Sequence, residues 1–369
     1  MYNRSQHIRV IVAGGGTGGH IFPGIAIASA LKRLHRDIEI LFVGAKGKME
    51  MQKIPEVGFS IRGIEIAGYN RSSIFKNLSL PYKLIKSYFQ VRKIFRDFEP
   101  TAVIGVGGYS SFPVLRVALR RKIPTYIHES NSLPGKTNLI LGKRARKVFV
   151  AHSGMEKYFH HGNIVVTGNP IRQVLEEKKG REESLRFFGM NPALKTILVL
   201  GGSLGARSIN NAIMNHLDFF EKNNLQLIWQ MGKSFVPDKI KLDQDKNLVQ
   251  AHPFINNMEM AYGAADIVVA RAGAMTIAEL RAQQKASILV PYPFAAEDHQ
   301  TVNAMDLVNH NAALMVKDGE LNEKLIPAIG GLIADEIRIK KMEKNIGEEK
   351  LLHADETIAN EILNDISNS

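Results

Sequence analysis

The chain has 369 residues and no cysteine, which excludes disulfides, thiolate nucleophiles and thiolate metal sites; its length exceeds a typical single core and points to two domains. No window reaches about 18 uninterrupted apolar residues, and the N-terminus lacks the long apolar stretch of a secretory signal, so neither a spanning helix nor a leader is expected. The net charge of +12 is uneven: residues 1–169 carry 26 Lys+Arg against 9 Asp+Glu and the remainder 22 against 27, so the first half is drawn to nucleic acid, an anionic membrane surface or a phosphorylated substrate.

Short apolar runs alternate with helical patterns from the start. Strands are predicted at 8–13, 38–44, 102–107, 124–129, 147–151 and 163–170, with helices between them at 21–35 and 81–97. KTILVLGGSLGARSINNAI (195–213) begins the pattern again as strand, glycine turn and helix, and strands are predicted after it at 225–232, 248–254, 265–273 and 286–293. This alternation gives βαβ units on parallel sheets. The expectation is an α/β chain of two doubly wound domains, 1–168 and 169–344, with the crossover near Gly168-Asn169-Pro170 and a C-terminal helix at about 345–369 packing back on the first domain.

Three glycine loops follow predicted strands. Gly14-x-Gly16-x-x-Gly19 has the dinucleotide-binding spacing, but the second strand ends in Phe42-Val43-Gly44 without the acidic residue that would hold a ribose. His20 stands where a P-loop needs lysine, which speaks against kinase or ATPase chemistry. What remains is an anion site built from backbone N–H groups at a helix start, repeated in GVGGYSSFP (105–113) and GGSLGA (201–206). A fourth helix start, Gly273-Ala274-Met275-Thr276, suits a phosphate, and Glu279 one turn later can accept two hydrogen bonds from ribose hydroxyls. Asp243-Gln244-Asp245 has the D-x-D pattern of metal-dependent transferases, but lies in a lysine-rich polar stretch and reads as a surface loop. Residues 74–98 mix Phe75, Leu78, Tyr82, Ile85 and Phe89 with Lys76, Lys83, Lys86, Arg92 and Lys93, as an interfacial amphipathic segment does.

In chain order, GGGTGGH (14–20), GVGGYSSFP (105–113), HESNSLPGKTN (128–138), TGNPIR (167–172), GGSLGARSIN (201–210), ARAGAMTIAEL (270–280) and EDHQTVNA (297–304) resemble the motifs of the MurG family of bacterial N-acetylglucosaminyltransferases. The resemblance implies a GT-B fold, two Rossmann-like domains facing a cleft. It implies inverting transfer of GlcNAc from UDP-GlcNAc to the MurNAc 4-hydroxyl of undecaprenyl-diphospho-MurNAc-pentapeptide (lipid I), which yields lipid II for peptidoglycan synthesis, cell shape and division. No cofactor and no essential metal are implied. The implied partners are UDP-GlcNAc, lipid I, an anionic membrane surface and other cell-wall synthesis proteins, not nucleic acid. The implied location is peripheral, on the cytoplasmic face of the inner membrane.

Carried over by motif, the donor is held by Thr17, Gly18, Gly19, Asn131 and Arg172, by Ser203 on the diphosphate and by the Ile255 backbone on the uracil edge. Ala274, Met275, Thr276, Ile277 and Ala278 form the donor helix start, Glu279 takes the ribose, and Gln300 and Asn303 read the GlcNAc hydroxyls. Gly15, Gly16, Gly107, Gly108, Tyr109 and Ser110 are expected at the acceptor diphosphate. The base is His20 or Glu129. His20 is preferred, because the positive end of a helix favours the neutral, proton-accepting imidazole. Phe112, Ser130, Ala272 and Ala278 depart from residues common in the family. A related enzyme glycosylating diacylglycerol would share the fold, but HESNS and DHQTVNA favour the first reading.

Overall fold

A computed structural model describes residues 7–68, 78–159, 161–202, 205–235, 248–295, 298–348 and 351–368. The chain forms two compact units, residues 1–172 with 353–369, and residues 173–352. The first unit carries seven strands: β1 (Arg9–Ala13), β2 (Glu39–Ala45), β3 (Ser60–Ile64), β4 (Ala102–Gly105), β5 (Thr125–Glu129), β6 (Lys147–Val150) and β7 (Ile164–Val166). All pair in parallel, in the order β3-β2-β1-β4-β5-β6-β7. Its helices are α1 (Gly18–Leu34), α2 (Glu50–Glu56), α3 (Leu80–Phe98), α4 (Ser111–Arg120) and α5 (Lys136–Gly142).

The second unit repeats the scheme with β8 (Lys195–Leu200), β9 (Leu225–Gln230), β10 (Val249–His252), β11 (Ile267–Ala270), β12 (Ser287–Leu289) and β13 (Leu314–Met315), in the order β10-β9-β8-β11-β12-β13. Its helices are α6 (Arg181–Phe187), α7 (Arg207–Met214), α8 (Leu217–Lys222), α9 (Met258–Ala264), α10 (Ala274–Gln283), α11 (His299–Asn309), α12 (Leu321–Ile333) and α13 (Glu336–Glu348). A final helix, α14 (Ala354–Ser367), returns to the first unit.

Strands of a parallel sheet are covered on both faces, so they read as continuous apolar runs; Val10–Ala13 and Ile267–Ala270 are fully buried. In each sheet the strand order reverses once, between β1 and β4 and between β8 and β11. At such a reversal the loops leaving the strands diverge and open a crevice at the carboxyl ends.

Two strands lie outside the sequence expectation. In β3 the exposed Ser60 and half-buried Gly63 break any apolar run, as an edge strand permits, and β13 has only two residues. The boundary falls after Arg172 rather than after residue 168, and α13 belongs to the second unit, so the returning segment starts at His353 rather than near 345. Ile358, Ala359, Ile362, Leu363 and Ile366 of α14 share a core with Ile27, Ala28 and Leu31 of α1. Arg33–Asp355 (2.9 Å), Arg146–Asp365 (2.6 Å) and Lys147–Glu361 (2.6 Å) fix its register.

Ile362→Ala is expected to lower the stability of the first unit by about 2–5 kcal/mol through the cavity it leaves. Urea titration reads this as a lower midpoint, with Ile337→Ala on exposed α13 surface as the near-neutral comparison.

Candidate active site

The crevice of the first sheet is walled by two glycine loops whose backbones touch. Gly108 has φ +81°, and a Cβ there would lie 2.5 Å from the Gly15 carbonyl oxygen. Only glycine permits that approach. A Cβ on Gly107 would sit 2.6 Å from Cδ2 and 2.9 Å from Nε2 of His20, so this side of the imidazole lies close against the second loop.

His20 is the third residue of α1, after the N-cap residue Thr17 and Gly18-Gly19. Its Nδ1 lies 3.3 Å from the Gly15 carbonyl oxygen and 3.2 Å from Thr17 Oγ1. A carbonyl oxygen only accepts, so the Gly15 contact is a hydrogen bond in the tautomer that carries its proton on Nδ1, where the Thr17 hydroxyl can accept as well. In that tautomer Nε2 is the unprotonated nitrogen, as a general base needs.

Beneath the first loop lies a residue that sequence reasoning missed. Glu50, the first residue of α2, is buried, and its two carboxylate oxygens accept the N–H groups of Gly16 (2.9 Å) and Ala45 (3.0 Å). This bears on the expectation for Gly15 and Gly16. The Gly16 amide is already donated, Gly15 is buried against the carboxylate, and a second anion here would meet a negative charge rather than a cradle of donors. Of the other residues expected at the acceptor diphosphate, Tyr109 is half-buried over Gly16 and Gly68, its phenol held above its ordinary value by burial and by Glu50. Ser110 is buried, and its hydroxyl has no hydrogen-bond partner among the described residues. Phe112 packs into the core beside Leu115.

Glu129 is not arranged as a base. It is buried at the end of β5. Oε1 accepts the Asn131 N–H (3.0 Å) and side-chain amide (3.2 Å), and Oε2 accepts the Gly135 N–H (2.9 Å) and the Asn138 amide (2.8 Å). Four donors occupy its two oxygens, so Glu129 organises the loop before α5. Asn131, expected at the donor, is part of that loop. Next to it His128 is fully buried, hydrogen-bonded to the Gly168 backbone, and pushed down to about 4 by burial. Arg172 is half-buried at the end of the first unit.

In the second unit the crevice holds the start of α10. Gly273 is extended (φ −69°, ψ 145°) and the first backbone bond closes from Ile277 N–H to Gly273 O. The amides of Ala274, Met275 and Thr276 are thus the open first turn. Ala274, Met275 and Ile277 are buried, while Thr276 and Ala278 are half-buried. Glu279 is one turn on. Its Oε2 accepts the hydroxyl of fully buried Tyr262 (2.9 Å), which aims the carboxylate.

Gln230 donates to the Gly202 carbonyl (3.1 Å) and accepts the Ile255 N–H (2.9 Å). The Ile255 amide is therefore engaged, which leaves its carbonyl to read a base edge. Gln300 accepts the Tyr292 N–H (2.9 Å), and buried Asn303 donates to the Ala272 carbonyl (3.3 Å). Both amides thus hold the loops around α10 together. Arg271 braces the same edge, donating to Asp318 (2.6 Å), to Ser208 (2.8 Å) and to the Val290 and Pro291 carbonyls. Ser203 and Asp243-Gln244-Asp245 lie outside the described residues, as does the start of the 74–98 segment. No cluster of three or more His, Asp or Glu with metal-ligand geometry occurs among the described residues. A groove of about 970 Å³ lined by Ile38, Glu39, Ser60 and Arg62 opens at the amino ends of β2 and β3, away from the crevice.

Two six- and seven-stranded doubly wound sheets, each with a helix start at its reversal point, define a glycosyltransferase of the GT-B class. Residues 10–150 match the glycosyltransferase family 28 N-terminal domain and residues 196–358 its C-terminal domain; the chain belongs to that family. It is 46% identical over 361 residues to the UDP-N-acetylglucosamine--N-acetylmuramyl-(pentapeptide) pyrophosphoryl-undecaprenol N-acetylglucosamine transferase of Phocaeicola vulgatus, covering 97% of this chain and 96% of that one. To the transferase of the same name from Christiangramia forsetii it is 45% identical, covering 98% and 99%. The crystal structure of Acinetobacter baumannii MurG superposes with a TM-score of 0.76 at 25% identity, covering 97% of this chain and 99% of that one.

His128 gives a pH signature. Its folded value near 4 lies below the ordinary 6.5, so the unfolded chain binds the extra proton between these values. Stability from this group is constant above about pH 6.5 and falls by about 3 kcal/mol towards pH 4. His128→Leu is expected to flatten that part of the unfolding free energy against pH, measured by denaturant titration.

Proposed function

We propose that this chain transfers GlcNAc from UDP-GlcNAc to the MurNAc 4-hydroxyl of undecaprenyl-diphospho-MurNAc-pentapeptide. What carries the reading is the end-to-end similarity to transferases of that name. The geometry supplies groups suited to each step. The acceptor's 4-hydroxyl oxygen bonds to the anomeric carbon from the face opposite UDP, and its proton passes to Nε2 of His20. The bond from the anomeric carbon to the β-phosphate oxygen breaks, and its electron pair leaves with UDP. In-line displacement inverts the anomeric centre.

The contact of Nδ1 with the Gly15 carbonyl supports His20 as base, and the four donors on Glu129 favour it over that alternative. The second unit takes the donor. The open first turn of α10 and the Thr276 hydroxyl meet the charge developing on UDP, and Tyr262-aimed Glu279 accepts the ribose hydroxyls. With that stabilisation the reaction needs no added metal. In the first unit the buried Ser110 hydroxyl and the first turn of α4 suit the acceptor diphosphate.

Transfer from UDP-GlcNAc to a lipid I analogue tests the reading. Product is expected from the wild type, undiminished by excess chelator, and none from diacylglycerol. His20→Ala is expected to lower kcat by about 10²–10⁴. Glu279→Ala is expected to raise the KM for UDP-GlcNAc by about 10- to 100-fold, the worth of a charged hydrogen bond. Turnover on diacylglycerol, or near-normal kcat in His20→Ala, would overturn the acceptor or the base respectively.

The acceptor is a lipid, and no described helix is long and apolar enough to cross a membrane. We place the chain peripherally on an anionic membrane surface through α3 and the Leu78 that precedes it, where Leu78, Tyr82, Leu84, Ile85 and Phe89 are exposed beside Lys83, Lys86, Arg92 and Lys93. Co-sedimentation with vesicles containing anionic lipid is expected to weaken in Ile85→Ser/Phe89→Ser and at raised salt; unchanged sedimentation would exclude this surface.

A further inference from the structure

Glu50 and His20 address opposite ends of one peptide group. The Gly15–Gly16 peptide offers its N–H to Glu50 Oε2 at 2.9 Å and its carbonyl to His20 Nδ1 at 3.3 Å. The arrangement depends on missing side chains. A Cβ on Gly15 would fall 2.3 Å from Glu50 Oε1, and one on Gly44 would fall 2.5 Å from Glu50 Cγ. The carboxylate starts α2, where that helix's positive end offsets part of the cost of burying it. Its second oxygen is pinned by the Ala45 N–H (3.0 Å), so it cannot turn away.

We propose that Glu50 is a positioning residue for the base, acting on His20 through the Gly15–Gly16 peptide. A carboxylate accepting the N–H end of a peptide polarises it and makes its carbonyl a stronger acceptor, because hydrogen bonds in series reinforce one another. The strengthened carbonyl holds the proton on Nδ1, keeps Nε2 unprotonated, and stabilises the imidazolium that forms when the acceptor's proton arrives. This is the task of the carboxylate in a hydrolase triad, performed here through one intervening peptide. A direct contact is avoided, and Glu50 itself stays sealed from substrate. The effect on turnover rests on His20 being the base; the effect on the tautomer does not.

The test uses the full chain with ¹⁵N-labelled histidine, the His20 signals being identified by their loss in His20→Ala. In the wild type, Nδ1 is expected to carry the proton and Nε2 to be bare. Finding the proton on Nε2 overturns the proposal without any Glu50 variant. In Glu50→Gln one oxygen becomes an NH₂ facing a backbone N–H, so the tautomers are expected to mix. The kcat is expected to fall about 10- to 100-fold, the range for partners that orient a functional ring nitrogen, with little change in the KM for UDP-GlcNAc.

The acid limb of the kcat profile is expected to move to lower pH, because the imidazolium loses its polarised acceptor. Besides Glu50, Tyr109 lies in electrostatic reach of the carboxylate, and His128 lies in reach of His20 and His152. His128→Leu therefore serves as the comparison for that limb. A Glu50→Gln enzyme that keeps the wild-type tautomer, kcat and acid limb sinks the proposal, as does one whose only change is a lower Tm. If His20→Ala retains turnover, the base assignment falls, while the tautomer result still decides whether Glu50 controls the ring.

Discussion

At the reversal point of the first sheet the loop after β4 touches the loop after β1, backbone against backbone, with room for no Cβ between Gly108 and the Gly15 carbonyl. The rest of the chemistry in this unit follows from that contact. It fixes the plane of the Gly15–Gly16 peptide, and so the carbonyl to which His20 is tethered. It also brings Gly107 close to Cδ2 and Nε2 of the imidazole, with no room for a Cβ. A histidine at a helix start is ordinarily a mobile, solvated group. Here it lies against two glycine loops, with Nδ1 on the Gly15 carbonyl and a buried carboxylate on the other end of that peptide.

The second unit solves a different problem with the same topology. The polar groups at its crevice brace loops instead of a ring. Arg271 links the ends of β11 and β12 to Ser208 at the start of α7 and to Asp318. Gln230 joins the loop after β8 to the segment after β10. Each of these side chains satisfies backbone groups that an open crevice would otherwise leave unpaired. The helix start that remains, at α10, is where an anion can still be received.

The residues legible in the sequence were those marked by backbone punctuation. A strand running into glycines and then into a helix shows in the order of residues alone, so both crevices, His20 and the Gly273–Glu279 turn were visible. Glu50 was not. It begins an ordinary amphipathic helix in KMEMQKIPE, and only the fold reveals that it reaches a glycine 34 positions earlier. The same holds for Tyr262, which aims Glu279 across 17 residues, and for the Arg271–Asp318 pair. Glu129 was legible only in part. Its position at a strand end was read correctly, but its chemistry depends on four donors, three of them in the loop that follows, and spacing does not disclose hydrogen bonds. β3 escaped because an edge strand needs no apolar run.

The buried carboxylate also bears on why one supersecondary unit, used twice, should hold two different ligands. In a nucleotide-binding loop of this shape the diphosphate rests on the glycine amides. In the first unit Glu50 already takes the Gly16 amide and brings a fixed negative charge to the place where a phosphate would come to rest. A nucleoside diphosphate approaching there would lose a donor and meet repulsion. In the second unit the loop after β8 packs on backbone instead, with Gly205 against the Met231 carbonyl, and the α10 start has no acidic residue in its first turn. Sorting donor from acceptor thus needs no difference in fold. One carboxylate under one loop is enough to disfavour a nucleotide diphosphate in the first unit, and that carboxylate binds the same Gly15–Gly16 peptide that His20 contacts.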